Sequence, residues 1–385
     1  MSKGYNIETK AIHLGFDNYK YNPVMPPIYV SSTYKQHEPG VYEGRYDYGR
    51  TANPTRDLLE RTIAGLENGN YAVSFSSGCA ALTTLLHTLK SGDHVLIGHD
   101  VYAGTLRLFK SVFADFGVEY DLVDLRDQTE FRAAIRPNSK MVFFETPTNP
   151  LLDIVDIKAV VELSKQRGLL VCVDNTFATP VLQNPLDLGA DVVLHSSTKY
   201  LGGHSDLIGG ALVLNDKELY ERLLFLQNAI GAVPSPFDCF LLLRSLKTLV
   251  VRVEKHCDNA EKIAAFLSEH KKVRQVRYPG LADHPGYSVA RKQMRRFGGM
   301  LSFELDCDSD GVKRFLSSLR LFAIAESLGG VESLIEVPSI MTHAYLPKEQ
   351  RDKLGISDSL IRMSVGIENV EDLIQDLESA FEEIS

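Results

Sequence analysis

Between residues 71 and 214 short apolar runs alternate with stretches of helical periodicity. That rhythm constrains the fold of this 385-residue chain more than any other feature. The apolar runs lie near 71–76, 94–98, 118–123, 140–145, 169–174, 191–196 and 210–214, and helical patterns such as 104–115 and 157–167 separate most of them. A strand carrying only hydrophobic residues is buried on both faces, as in a sheet covered by helices. The alternation therefore predicts an α/β domain: a mostly parallel sheet of roughly seven strands with helices on both sides.

The flanks read differently. Residues 1–50 contain Pro23, Pro26, Pro27, Pro39 and eight of the 16 tyrosines, and they lack helical periodicity. So long an irregular segment calls for an interface, and tyrosine offers a large contact area with a polar tip. We expect an arm that lies on another subunit. Regular structure should begin at Asn53-Pro54, a cap followed by proline in the first helical position, with Leu59, Ile63 and Leu66 on one face and Gly69 marking the end. Ser77-Gly78 opens a second helix carrying Leu82, Leu85, Leu86 and Leu89. Beyond about 240 the rhythm changes: a long helical stretch over 239–267, strand-like pieces at 273–278, 299–305 and 360–365, and a closing helix over 370–384. The expected division is an arm (1–50), an α/β domain (51–240) and a smaller C-terminal α+β domain with a linking helix (241–385).

A net charge of −9 argues against nucleic acid or an anionic membrane as the main partner. No apolar run approaches the length of a membrane span, and the first residues are polar. Five scattered cysteines without a CxxC pair fit a reducing cytoplasm. His87, His94, His99 and His195 have no metal-binding spacing, and no metal is expected. Neither GxxxxGK[ST] nor a GxGxxG after a strand occurs.

Ligands of an open α/β sheet bind beyond the carboxyl ends of its strands. Three of those ends carry chemistry here. The strand at 191–196 runs into Ser196-Ser197-Thr198-Lys199 and then Gly202-Gly203: three hydroxyls suited to a phosphate beside a lysine suited to a carbonyl. The strand at 71–76 runs into Ser77-Gly78-Cys79 and a helix start, where free amides favour an anion. The strand at 169–174 ends in Asp174-Asn175-Thr176, and a carboxylate there can pair with a protonated ring nitrogen. Phosphate, aldehyde and pyridine together describe pyridoxal 5′-phosphate.

These segments resemble the trans-sulfuration family of fold-type-I pyridoxal phosphate enzymes over essentially the whole chain. The matching motifs are Tyr48-Gly-Arg50-Thr-Ala-Asn-Pro54, Ser77-Gly78, Asp100-Val-Tyr102, Glu145-Thr-Pro-Thr-Asn149-Pro150, Val173-Asp174-Asn-Thr176, Ser196-Ser-Thr198-Lys199, Glu326-Ser327-Leu-Gly-Gly330 and Arg362-Met-Ser-Val-Gly366. The resemblance implies that Lys199 bonds to the cofactor and later moves protons, that Asp174 pairs with the ring nitrogen, with Thr176 beside it, and that Tyr102 stacks on the ring and assists proton transfer. Gly78, Cys79, Ser196 and Thr198 would hold the phosphate, joined by Tyr48 and Arg50 from a neighbouring subunit of a homotetramer. Arg362, helped by Asn149 and Ser327, would hold the carboxylate of an amino-acid substrate, and Glu326 a distal ammonium.

Within that family, Glu326 and the segments 231–238 and 336–343 resemble the γ-lyase branch. The implied activity is α,γ-elimination of L-cystathionine to L-cysteine, 2-oxobutyrate and ammonia, with hydrogen sulfide release from cysteine as a side reaction. The alternatives are γ-replacement on an O-acyl-homoserine and β-elimination. The intact set of Lys199, Asp174, Tyr102 and Arg362 speaks against a non-catalytic cofactor carrier.

Overall fold

The structure, a computed structural model, describes residues 4–15 and 19–384. The alternating region forms strands β1 (Tyr71–Phe75), β2 (His94–Gly98), β3 (Glu119–Val123), β4 (Ser139–Glu145), β5 (Leu170–Asp174), β6 (Val192–Ser196) and β7 (Gly210–Leu214). They make one seven-stranded sheet in the order β1-β7-β6-β5-β4-β2-β3. Strands β3, β2, β4, β5 and β6 are mutually parallel, whereas β7 runs antiparallel to both β6 and β1. An antiparallel neighbour needs no crossover helix. The chain therefore returns from β6 to β7 through residues 197–209 alone, which keeps Lys199 on the carboxyl edge.

Both sheet faces are buried, as the unbroken apolar runs require. Val73, Phe75, Ile97, Phe143, Cys172 and Leu212 pack on one side, and Val142, Phe144, Val171 and Val173 on the other with helix Ile157–Lys165. Helix Pro54–Leu66 starts as expected, with the Asn53 side chain accepting from the amides of Thr55 and Arg56. It buries Leu58, Leu59, Ile63 and Leu66.

The second sheet has strands β8 (Val273–Arg277), β9 (Met300–Leu305), β10 (Ala323–Ile324), β11 (Leu334–Glu336) and β12 (Leu360–Ser364), in the order β10-β11-β12-β9-β8. Only β10 and β11 pair in parallel. One apolar cluster reaches from Leu58 and Ile63 through Val253, Ile263 and Leu267 to Phe303, Ile361 and Phe381, so the two sheets share a core.

Three expectations need correction. The stretch 239–267 is two helices, Pro236–Leu246 and Leu249–Glu269, rather than one. At the break the Ser245 carbonyl accepts from the amide of Thr248 and from Nη2 of the buried Arg252, at 3.1 and 3.0 Å. The arm contains a helix, Ile7–His13, which buries Ala11 although its sequence shows no extended period. Strands β10 and β11 went unpredicted because two or three residues carry no periodic signal. Among the described residues, no helix is long and apolar enough to cross a membrane.

Candidate active site

A cavity of about 350 Å³ opens between the carboxyl ends of β4, β5 and β6 and the second sheet. Every predicted site residue lines it except Tyr48 and Arg50: Gly78, Cys79, Tyr102, Asn149, Asp174, Thr176, Ser196, Thr198, Lys199, Glu326, Ser327 and Arg362. The polar residues come from both sheets, separated by up to 285 positions in the chain (Arg362 against Ser77).

One wall belongs to the large sheet. Helix Gly78–Leu86 starts on it, capped by Ser77, whose hydroxyl accepts from the amide of Ala80 at 3.0 Å. The first amides of a helix have no intrahelical acceptors and attract anions. A Cβ at position 78 would come within 3.2 Å of the Ser196 Cα, so glycine keeps this floor open. Asp174 ends β5, and its Oδ1 accepts from the Thr176 amide at 2.9 Å. The Thr176 hydroxyl in turn accepts from the Ser196 amide at 2.8 Å, tying two strand ends together. Burial pushes the Asp174 carboxyl up from its usual range, against the hydrogen bonds from Thr176, which lower it. A protonated ring nitrogen would relieve that cost. The three-hydroxyl reading needs one correction. Ser197 turns into the interior, where its Oγ has no partner, so only Ser196 and Thr198 face the cavity.

The other wall belongs to the small sheet. Arg362 sits in the middle of β12 and is 3% exposed. Its Nη1 donates to Asn149 Oδ1 and meets Glu336 Oε1, each at 2.9 Å, and Nη2 donates to the Ser327 carbonyl at 2.7 Å. Glu336 is paired with Arg362 across the β11–β12 ladder. Its Oε1 also accepts from Thr342 at 2.8 Å. The Nε of Arg362 has no partner, which leaves the buried cation unfinished.

Lys199 joins the walls: its Nζ donates to Ser327 Oγ at 2.6 Å. Burial, reinforced by the Arg362 charge, pulls the amine down to about 8, although Glu336 and Glu326 oppose the shift. A sizeable neutral fraction then exists near neutrality, as a nucleophile or general base requires. The Tyr102 ring is half exposed and lies over Gly104, where a Cβ would sit 2.2 Å from it.

Tyr48 and Arg50 lie outside this cavity. The Arg50 guanidinium packs on the Tyr48 ring at 5.3 Å, and its Nε donates to Asn228 at 3.1 Å. The backbone around them is shaped from within: buried Arg56 donates to the carbonyls of Gly49, Arg50 and Thr51. Two site residues escaped sequence reasoning. Glu145 lines the cavity and accepts from the Tyr102 amide at 2.6 Å; Glu336 holds Arg362 from behind. Both stand in quoted motifs, and a carboxylate inside a buried strand was the available signal. His195, which has no metal-binding spacing in the sequence, is buried with its Nε2 2.6 Å from Glu67. Among the described residues, no group of side chains could hold a metal ion.

Residues 8–382 match the family described as Cys/Met metabolism PLP-dependent enzyme. The chain belongs to this family. It is similar to the cystathionine beta-lyase of Coxiella burnetii (51% identity, 98% of each chain covered) and to the cystathionine gamma-lyase of Dictyostelium discoideum (53%, 98% of each). It also superposes on the cystathionine gamma synthase of Xanthomonas oryzae pv. oryzae, solved in complex with cystathionine, with a TM-score of 0.96, 45% identity and 99% coverage of each chain. The fold is thus the α/β fold of family members, and trans-sulfuration enzymes of three activities are similar to it to nearly the same degree.

Proposed function

We propose that this chain is a pyridoxal phosphate-dependent carbon–sulfur lyase that cleaves L-cystathionine by α,γ-elimination to L-cysteine, 2-oxobutyrate and ammonia. The observation that carries the reading is the placement of Glu326 in one cavity with Lys199 and Arg362. An amino acid with an ammonium at each end needs a carboxylate away from the clamp for its first carboxylate. Lys199, Asp174, Ser196, Thr198 and the Gly78 and Cys79 amides are the groups that would hold the cofactor. When bound, it supplies an electron sink for charge developing next to the substrate nitrogen.

This chain's residues do the rest. Arg362 and Asn149 bind and orient the α-carboxylate, with the guanidinium held by Glu336 and the Ser327 carbonyl. Lys199, with its amine neutral, would take the proton from Cα and serve again at Cβ. Ser327 Oγ stands within reach of its nitrogen. Tyr102 covers the reacting centre and moves a proton at the amine or the departing sulfur. Glu326 binds the distal ammonium. Water enters the overall balance once, in releasing 2-oxobutyrate and ammonia.

The working form we propose is a cytoplasmic homotetramer in which Tyr48 and Arg50 of one copy complete the phosphate site of another. Their exposure at the end of a braced arm supports this. Offering cystathionine, cysteine, methionine and an O-acyl-homoserine plus cysteine separately tests the reading. Cysteine and 2-oxobutyrate from cystathionine are expected, with some hydrogen sulfide from cysteine. Homocysteine and pyruvate, or turnover only of the O-acyl-homoserine, would assign the chain to β-elimination or γ-replacement instead.

A further inference from the structure

Two carboxyl groups stand side by side on the cavity floor. Glu145 ends β4 and Asp174 ends β5, and the two are register partners in a parallel pair. Residues directly opposite each other in a ladder point to the same face, on strands about 4.8 Å apart. Both line the cavity, and Glu145 is 5% exposed. No lysine or arginine forms an ion pair with either among the described residues. The cavity's own cations are engaged elsewhere, Lys199 with Ser327 and Arg362 with Asn149, Glu336 and Ser327. Other titratable groups that face Glu145 are Asp100, Tyr102 and Tyr345, none of them positive; the nearest cation on this side, Arg107, acts on Tyr102 and Tyr345 and forms no ion pair with Glu145 among the described residues. His195, on the strand beside Asp174, is occupied by Glu67.

Two buried carboxylates on one face of neighbouring strands raise the cost of each other's ionisation, and the proton stays on the one with less support. Asp174 has the Thr176 amide, the Thr176 hydroxyl and, in the reading proposed above, the ring nitrogen. Glu145 has one hydrogen bond, from the Tyr102 amide to Oε1. A neutral carboxyl still accepts that bond through its carbonyl oxygen. It therefore holds the start of helix Ala103–Ser111, and with it the Tyr102 ring, without adding charge under the cofactor.

We propose that Glu145 is a positioning residue that keeps its proton while Asp174 is ionised, so that the cofactor ring meets one negative charge instead of two and Tyr102 is held by an uncharged acceptor. The proposal rests on the cofactor reading of the site and goes beyond it in assigning Glu145 a role and a protonation state.

The test uses the cofactor-loaded protein and two readouts other than turnover. The first is the pH titration of the absorbance due to the Lys199–cofactor bond. Because Glu145 is uncharged, Glu145→Gln is expected to leave the midpoint within about 0.3 pH units of wild type; loss of a nearby negative charge would lower it by about a unit or more, which overturns the proposal. The second is infrared difference spectroscopy of protein with labelled glutamate carboxyls, at pH 8. A protonated-carboxyl band that vanishes in Glu145→Gln supports the proposal, and its absence from wild type overturns it. Labelling glutamate alone keeps Asp100 out of the spectrum; burial pushes that group up to about 7. If Glu145→Gln does not take up cofactor, the same difference is taken against Glu145→Asp. Wild type without cofactor absorbance would sink the site reading itself, a separate outcome.

Discussion

The two sheets build the cavity by different means. The large sheet contributes strand ends and the turns after them: Ser77-Gly78 beyond β1, Asp174 at the end of β5, and Ser196 to Lys199 beyond β6. Apart from Lys199, which reaches across to Ser327, its groups are short. The small sheet contributes Arg362 from mid-strand, a long cation that needs a buried counter-charge, Glu336, to be kept out of water. Removing one member of such a pair strands the other, at several kcal/mol. The contrast separates duties. On the proposed reading the large sheet prepares a place for a cofactor, and the small sheet, with Asn149, selects what reacts with it.

If the duties separate in this way, substitutions in the large sheet should alter cofactor absorbance, and those in the small sheet should alter KM. The largest effect is expected for Lys199→Ala: loss of both the lysine–cofactor absorbance and turnover, with cofactor content checked by release in alkali. Full activity in that variant would remove Lys199 from the chemistry. Next comes Arg362→Ala, expected to lower kcat/KM about a hundredfold or more through KM, with the absorbance retained. A variant that instead lost cofactor would break the comparison. Glu326→Gln should cost about tenfold in kcat/KM for cystathionine and much less for cysteine, which lacks the second ammonium. Equal losses on both substrates would reduce Glu326 to a structural carboxylate.

The smallest effect concerns pH. On the proposed reading the nucleophile is the neutral Lys199 amine, whose fraction grows as pH rises through about 8. The rate at which apoprotein bonds to pyridoxal phosphate should therefore rise with pH and level off above 8–9, well below the range of an exposed lysine. Arg362→Ala removes a positive neighbour, so the midpoint should move up. Stopped-flow absorbance measures both.

The sequence revealed the large sheet better than the small one, for physical reasons. Strands β1 to β7 are five to seven residues long and mostly apolar, and Asn53, Ser77, Asp156 and Asp216 cap helices with their own side chains. All of that is local. Strand β10 exists only because Ala323 and Ile324 find Leu334 and Ile335. The break after Leu246 is likewise invisible locally, since 239–267 reads as an unbroken apolar period; what stabilises it is a buried arginine on a carbonyl. In the site, Lys199 and Asp174 stood out from apolar strands, whereas the service of Glu145 and Glu336 depends on partners 43 and 26 residues away.

The turn carrying Lys199 is also a rivet between the two sheets. The Lys199 carbonyl accepts from the Gly203 amide, and the Gly203 carbonyl accepts from Val331, whose own carbonyl accepts from Ile367. Arg252 grips the same turn through the Tyr200 carbonyl at 2.8 Å. Gly203 adopts φ +70°, and a Cβ there would lie 2.0 Å from the guanidinium, so no larger residue fits. Parting the sheets would tear these bonds, and traffic into the cavity has to take another route. Tyr102, Ile208 and Glu326 are the exposed residues of its lining, the first two 49% and 64% exposed. The open side of the cavity is therefore ringed by surface side chains, and moving them breaks none of the bonds that rivet the sheets.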